Sequence, residues 1–205
     1  MSVDIMYIDL EKAFDSVPHA KLLYKLRKVG VGGIILKWLA SFLTQREHCV
    51  RVNDAQTPYE VVESGIAQGT ILGPIMFILY INDVVDLSLS SKVILYADDA
   101  KIYRRVLDQN DTAALQDDIN KVSEYFTSWQ LRINTRKCDI IHLGRTNPKC
   151  DYMIENHGLQ ASRSCRDLGI KVSQDEKFSL HILDITRSAF FRLRQLNLAF
   201  SCKDA

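Results

Sequence analysis

Val93-Ile94-Leu95-Tyr96-Ala97-Asp98-Asp99-Ala100-Lys101-Ile102-Tyr103 sets two adjacent carboxylates between two apolar runs. Both flanks read as short strands, and the acidic pair falls at the connecting turn of a hairpin. Neighbouring acids held against a hydrophobic sheet are costly unless positive charge sits on them. Hard oxygen donors of this kind favour a divalent cation such as Mg²⁺. The stretch therefore points to a β-hairpin that carries metal-dependent phosphoryl transfer.

An Asp-Asp pair alone is weak evidence, and the chain holds a second one, Asp117-Asp118. There Leu115, Ile119, Val122, Phe126 and Trp129 recur at helical spacing, so both acids are expected on the solvated face of an amphipathic helix. The first pair differs in its strand context and in the residues around it.

Working outward, Ile5-Met6-Tyr7-Ile8 is a strand that delivers Asp9 at its end. Pro18 opens a helix closed by Gly30, and Gly32-Gly33 precedes a second helix through Ile34, Trp38, Leu39 and Phe42. Asn53-Asp54 marks a hairpin between runs that include Val50, Val52, Tyr59 and Val61. A glycine-punctuated loop, 65–69, leads to Gly73-Pro74, which opens a buried apolar helix reaching about Asp83. Beyond the acidic hairpin come a helix over about 112–130, strands near 131–133 and 139–143, and a strand pair over 152–159 around Asn156-His157-Gly158. A single strand over 167–172 and an amphipathic helix over 178–199 complete the chain. This order predicts an α+β split βαβ core, an antiparallel sheet with helices on one face. In such a sheet Asp9 and the Asp98-Asp99 hairpin are neighbours, so three carboxylates meet at one edge. Asp15 is a fourth acid close in sequence, and Asp15-Ser16 before Pro18 also reads as a helix start.

With 205 residues, 47% hydrophobic and 25% charged, the chain is an ordinary globular domain or a domain plus a helical piece. Lys and Arg total 26 against 25 Asp and Glu, a balance that argues against a strong autonomous grip on nucleic acid. Local basic groups remain at Lys21, Lys25, Arg27 and Lys28, at Arg104 and Arg105, and at Arg187, Arg192 and Arg194; each also reads as a wet surface. The cysteines (Cys49, Cys138, Cys150, Cys165, Cys202) are five in number and lack metal-ligand spacing, as expected of reduced intracellular thiols. The apolar run 75–81 is too short to span a bilayer. A soluble, intracellular protein without membrane contact is expected, nucleus or cytoplasm left open.

Two metal ions roughly 4 Å apart can activate a 3′-hydroxyl and stabilise leaving pyrophosphate in an in-line displacement. Holding both takes acids from more than one segment, with Asp9 and Asp98 the natural bridging pair and Asp99 an accessory ligand.

Five segments resemble, in order, the palm motifs of reverse transcriptases from non-LTR retrotransposons of the jockey and LINE types. They are Tyr7-Ile8-Asp9-Leu10-Glu11-Lys12-Ala13-Phe14-Asp15; Gly65-Ile66-Ala67-Gln68-Gly69-Thr70-Ile71-Leu72-Gly73-Pro74 running into 77–83; Tyr96-Ala97-Asp98-Asp99; Leu131-Arg132-Ile133-Asn134 with Lys137; and Leu168-Gly169, similar to the primer-grip strand before the thumb. The second motif departs at Ala67, where many relatives carry proline, and at Gly73, where others carry serine. The resemblance implies an RNA-directed DNA polymerase with RNA template, DNA primer and deoxynucleotides as partners, and two Mg²⁺ ions, with Mn²⁺ as substitute, on Asp9, Asp98 and Asp99. It implies Phe14 as an aromatic gate against the ribose 2′-hydroxyl, Gln68, Gly69 and Tyr96 as nucleotide or template contacts, and Lys137 as proton donor to pyrophosphate. Taken singly, Phe14 also reads as core, Gln68-Gly69 as plain loop and Lys137 as solvated surface. It divides the chain into a palm, 1–175, and a helix opening the thumb, 176–205, with fingers and endonuclease regions belonging to a longer polyprotein. The alternatives are a truncated, catalytically incompetent remnant that binds nucleic acid or protein, and another palm nucleotidyl transferase; the bulk of Phe14 argues against ribonucleotide use.

Overall fold

Alternating inward and outward residues from Val3 to Ile8 make the first strand, and the chain builds a sheet around it. The computed structural model describes residues 2–200, so Cys202 and the end of the expected thumb segment lie outside the described residues. In chain order the elements are β1 (Val3–Ile8), α1 (Ala13–Ser16), α2 (His19–Lys28) and α3 (Gly33–Leu43), then the two-residue strands β2 (Glu47–His48), β3 (Arg51–Val52), β4 (Ala55–Gln56) and β5 (Glu60–Val61). There follow α4 (Leu72–Ile81) with a 3₁₀ turn (Asn82–Asp86), the hairpin β6 (Lys92–Tyr96) and β7 (Asp99–Arg105), α5 (Gln109–Ser128) and β8 (Asp139–Leu143). The chain closes with β9 (Met153–Ile154), β10 (His157–Gly158), β11 (Gln160–Ala161), β12 (Ser164–Asp167), β13 (Ile170–Ser173) and α6 (Ser179–Ala199).

The main sheet has five strands in the order β11-β8-β1-β7-β6, antiparallel except where β11 joins β8. Its inner face presents Met6, Ile8, Ala100, Ile102 and Ile140 to Leu22 and Leu26 of α2, Phe77 and Tyr80 of α4, and Leu115, Ile119 and Phe126 of α5. Fully burying each large side chain contributes about 1.5–3 kcal/mol, so this face fixes the register of β1. The expected α+β architecture, helices on one face of an antiparallel sheet, is what forms.

Charged groups also lie on that inner face, among them Arg104, paired with Asp111 of α5 at 2.9 Å, and Asp4. Asp4 is fully buried opposite His142 on β8. It accepts from His142 Nδ1 at 2.7 Å, Asn147 Nδ2 at 2.6 Å and the Tyr152 hydroxyl at 2.6 Å. Burial pushes its carboxyl upward, but the bonds from His142, Tyr152 and Asn147 outweigh that and hold it below the usual carboxylate value.

Several expectations are corrected. Lys25 is no part of a basic surface: it is buried, its ammonium bonded to Asp83 at 2.5 Å, to the Tyr125 hydroxyl at 2.8 Å and to the Tyr80 carbonyl. Asp118 does not share the solvated face of Asp117. It turns inward and accepts from Ser90 N at 3.0 Å, Ser90 Oγ at 2.7 Å and Ser91 N at 2.7 Å, which anchors the entry to β6. No regular strand forms over 131–133; Gln130 turns the chain at φ 60°, leaving a lone bridge between Leu10 and Ile133. The single strand expected over 167–172 is a hairpin, because Leu168 and Gly169 take φ 48° and 85° and reverse the chain. The turn of β9 and β10 sits one residue earlier than expected, at Glu155-Asn156, both left-handed. The α4 helix buries Met76, Phe77, Tyr80 and Ile81 but leaves Ile75 and Ile78 about half exposed, and α6 has no buried residue.

Candidate active site

The Asp98-Asp99 hairpin is as tight as its pattern suggests. Tyr96 pairs with Asp99, so Ala97 and Asp98 form a two-residue loop, and Ala97 adopts φ 52° to close it. Asp99 begins β7 immediately before Ala100, which pairs with Ile8. Asp9, one residue beyond β1, therefore stands beside Asp99. Alternation along each strand puts Tyr7, Asp9, Asp99 and Lys101 on the open face, opposite the core. The Asp9 carbonyl accepts from Asn134 N at 2.8 Å, and the turn that follows carries Lys137, whose Nζ lies 3.7 Å from Asp9 Oδ2.

The electrostatics record the convergence. Partial burial, then the charges of Asp98, Asp9 and Asp167, push the Asp99 carboxyl above its ordinary value, with Lys101 offsetting part of this. Asp167 was not foreseen; a hairpin read as a strand hid its position at a turn facing the acids. A cleft of about 260 Å³ runs between β1, β7 and this turn, lined in part by Asp9, Tyr96, Asp99, Lys101, Lys137 and Asp167. Among the described residues no three His, Cys, Asp or Glu side chains close in tightly enough to clasp an ion. The donor set itself, carboxylate oxygens with an excess of negative charge at Asp99, suits a hard divalent cation.

The other expected site residues are distributed around this centre. Asp98 and Tyr96 are exposed at the turn. Phe14, in α1, stacks on Phe77 with ring centroids 4.3 Å apart and is half-buried, so its core reading holds at least in part. Gln68 and Gly69 lie exposed in the loop before α4, where Gln68 Nε2 donates to Asp15 Oδ1 at 2.8 Å. The loop is held by Gly65, at φ +89°, where a Cβ would fall 2.7 Å from the Asp15 carbonyl oxygen; no other residue permits that approach without strain. Phe14, Gln68 and Gly69 do not line the cleft.

A helix-backed antiparallel sheet with adjacent acids at the turn of its β6-β7 hairpin and a third acid at the end of the neighbouring central strand β1 defines a polymerase-type palm. Residues 3–172 match the family Reverse transcriptase (RNA-dependent DNA polymerase), and the chain belongs to it. It is 30% identical over 187 residues to "Probable RNA-directed DNA polymerase from transposon X-element" of Drosophila melanogaster, covering 88% of this chain and 20% of the relative. It is 26% identical over 191 residues to "RNA-directed DNA polymerase from mobile element jockey" of the same fly, covering 89% and 21%. The chain thus spans about a fifth of the length of these relatives. Among solved structures, apo telomerase from Candida tropicalis truncated from its C-terminal domain superposes with TM-score 0.57 at 13% identity, over 84% of this chain and 34% of that one. At that identity the likeness is one of fold. Among the described residues, no helix is long and apolar enough to cross a membrane.

Proposed function

We propose that this chain is the palm of an RNA-directed DNA polymerase of a jockey-type non-LTR retrotransposon, adding deoxynucleotides to a primer 3′-end on an RNA template inside the cell. The observation that supports the reading is that Asp9 and Asp99 line one open cleft, with Asp98 at the adjoining turn and the charges of Asp98 and Asp9 both acting on Asp99. Residues 1–175 form the palm in this reading, and 176–205 begin a thumb.

Asp9, Asp98 and Asp99 would hold two Mg²⁺ ions, for which Mn²⁺ can substitute. Bound there, the ions supply Lewis-acid stabilisation of charge on the phosphoryl oxygens. The rest belongs to the chain. Lys137, exposed and 3.7 Å from Asp9, donates a proton to the leaving pyrophosphate. Phe14, braced by Phe77, opposes a ribose 2′-hydroxyl. Tyr96 offers an exposed ring to the nucleotide, and Gln68 and Gly69 meet nucleotide or template from the loop before α4.

A second reading, a catalytically incompetent remnant that binds nucleic acid or protein, draws on the spread of the acids as they stand. Mg²⁺-dependent primer extension on primed RNA separates the two. The folded chain is expected to extend the primer, and Asp98→Asn and Asp99→Asn each to lower the rate by at least about a hundredfold with the fold retained. Extension that persists in both variants refutes the site; none from the folded wild-type chain selects the remnant.

A further inference from the structure

The open face of the sheet carries an ion pair that the polymerase reading does not use. Asp167, the last residue of β12, places Oδ2 at 2.5 Å from Lys101 Nζ and 3.5 Å from the Tyr7 hydroxyl. Lys101 stands two residues after Asp99 on β7, and Tyr7 stands two residues before Asp9 on β1; the two face each other across the ladder. Asp167 is thereby tied to both strands that deliver the catalytic acids, one step behind those acids. Both members of the pair are sheltered, with side chains 22% and 23% exposed, so the contact is less screened than a surface pair.

The hairpin that carries Asp167 needs such a tie. β12 and β13 pair with each other and make a two-stranded sheet of their own, so no backbone ladder joins them to the five-stranded sheet. A lone two-stranded hairpin is marginal in water, and side chains must set where its turn sits. That turn matters: Leu168 follows Asp167 directly, about half exposed, and lines the same cleft as Asp9, Asp99 and Lys137.

We propose that Asp167 is a positioning residue, its ion pair with Lys101 latching the Leu168-Gly169 turn against the catalytic sheet so that a nucleic-acid 3′-end in the cleft is held in line with the carboxylates. This rests on the polymerase reading above. The latch holds the turn in place, and the turn forms the wall against which the reacting end rests.

The test uses the full chain with Asp167→Asn, Lys101→Gln and the double variant. Hydrogen exchange without nucleic acid reads the latch alone: each variant is expected to speed exchange over 164–173 about tenfold while β1 and β7 stay protected. Rapid-mixing extension of a primed RNA then reads positioning. The rate per active molecule should fall roughly tenfold, as small misplacements of a reacting end do. Burst amplitude and deoxynucleotide half-saturation should stay unchanged, and the double variant should be no slower than the slower single one. Unchanged exchange overturns the proposal. So does a lower burst amplitude at an unchanged rate, which marks a merely structural role, or single effects that multiply to about a hundredfold in the double variant. A folded wild-type chain that extends nothing brings down the polymerase reading instead. A 2-aminopurine at the primer 3′-end then tests placement directly: a signal changed by Asp167→Asn supports the latch, and an unchanged one overturns it.

Discussion

Lys25→Met isolates the least expected feature of the core. The Lys25 ammonium sits 3.7 Å from the Trp129 ring centroid, 4.8 Å from that of Tyr80 and 5.0 Å from that of Tyr125, and pairs with Asp83 at 2.5 Å. Burial lowers its pKa, with Asp83 pulling the other way. Methionine keeps the apolar stem but leaves the Asp83 carboxylate without its cation and the Tyr80 carbonyl without that donor. Removing one partner of a buried pair costs roughly 3–5 kcal/mol. The Asp83 side chain is 35% exposed and recovers some hydration, which places the cost near the lower end, about 3 kcal/mol. For a chain of this size that lowers Tm by roughly 6–12 °C. Adding Asp83→Asn removes the stranded charge and should restore more than half of the loss, since replacing both partners is far cheaper than orphaning one. Urea and thermal unfolding followed by far-ultraviolet circular dichroism measure both variants. A Lys25→Met chain within about 1 kcal/mol of wild type refutes the reasoning, as does a double variant less stable than the single one.

Two further outcomes follow from the buried carboxylates. Asp118→Ala should cost about 2–3 kcal/mol in urea unfolding, because it strips charged acceptors from Ser90 and Ser91, whereas Asp117→Ala should stay within about 0.5 kcal/mol; equal effects would overturn the inward assignment. Asp4 has a folded pKa below its ordinary value of 3.8, so its stabilising contribution is whole above that value and is lost as pH falls through the folded one. Unfolding midpoints compared at pH 7 and pH 3 should fall more steeply for wild type than for Asp4→Asn, and parallel slopes would exclude this group as a source of acid sensitivity.

The elements that present Asp9, Asp98 and Asp99 were legible because their signals are local. Strand alternation around Met6 and Ile102, the compact turn at Ala97-Asp98 and the strand that ends at Asp9 all follow from spacing over a few residues, and together they dictate that three acids share a sheet edge. Helix starts at Pro18 and after Gly32 were equally local. Residue type and period, however, do not say which side of a helix meets the sheet when polar residues sit near the boundary. Lys25 and Asp118 face inward because a partner distant in the chain, Asp83 in one case and the Ser90-Ser91 backbone in the other, offsets the cost of burying charge. Likewise the left-handed turn at Leu168 looks like strand to any pattern of apolar residues, and only the packed fold brings Asp167 beside Lys101 and close enough to Asp99 for its charge to be felt there. Sequence alone determined the sheet and its central carboxylates, since short-range sterics and burial set them; the tertiary structure decided which charges are buried and which acid completes the cleft, since those energies depend on partners that only folding brings within reach.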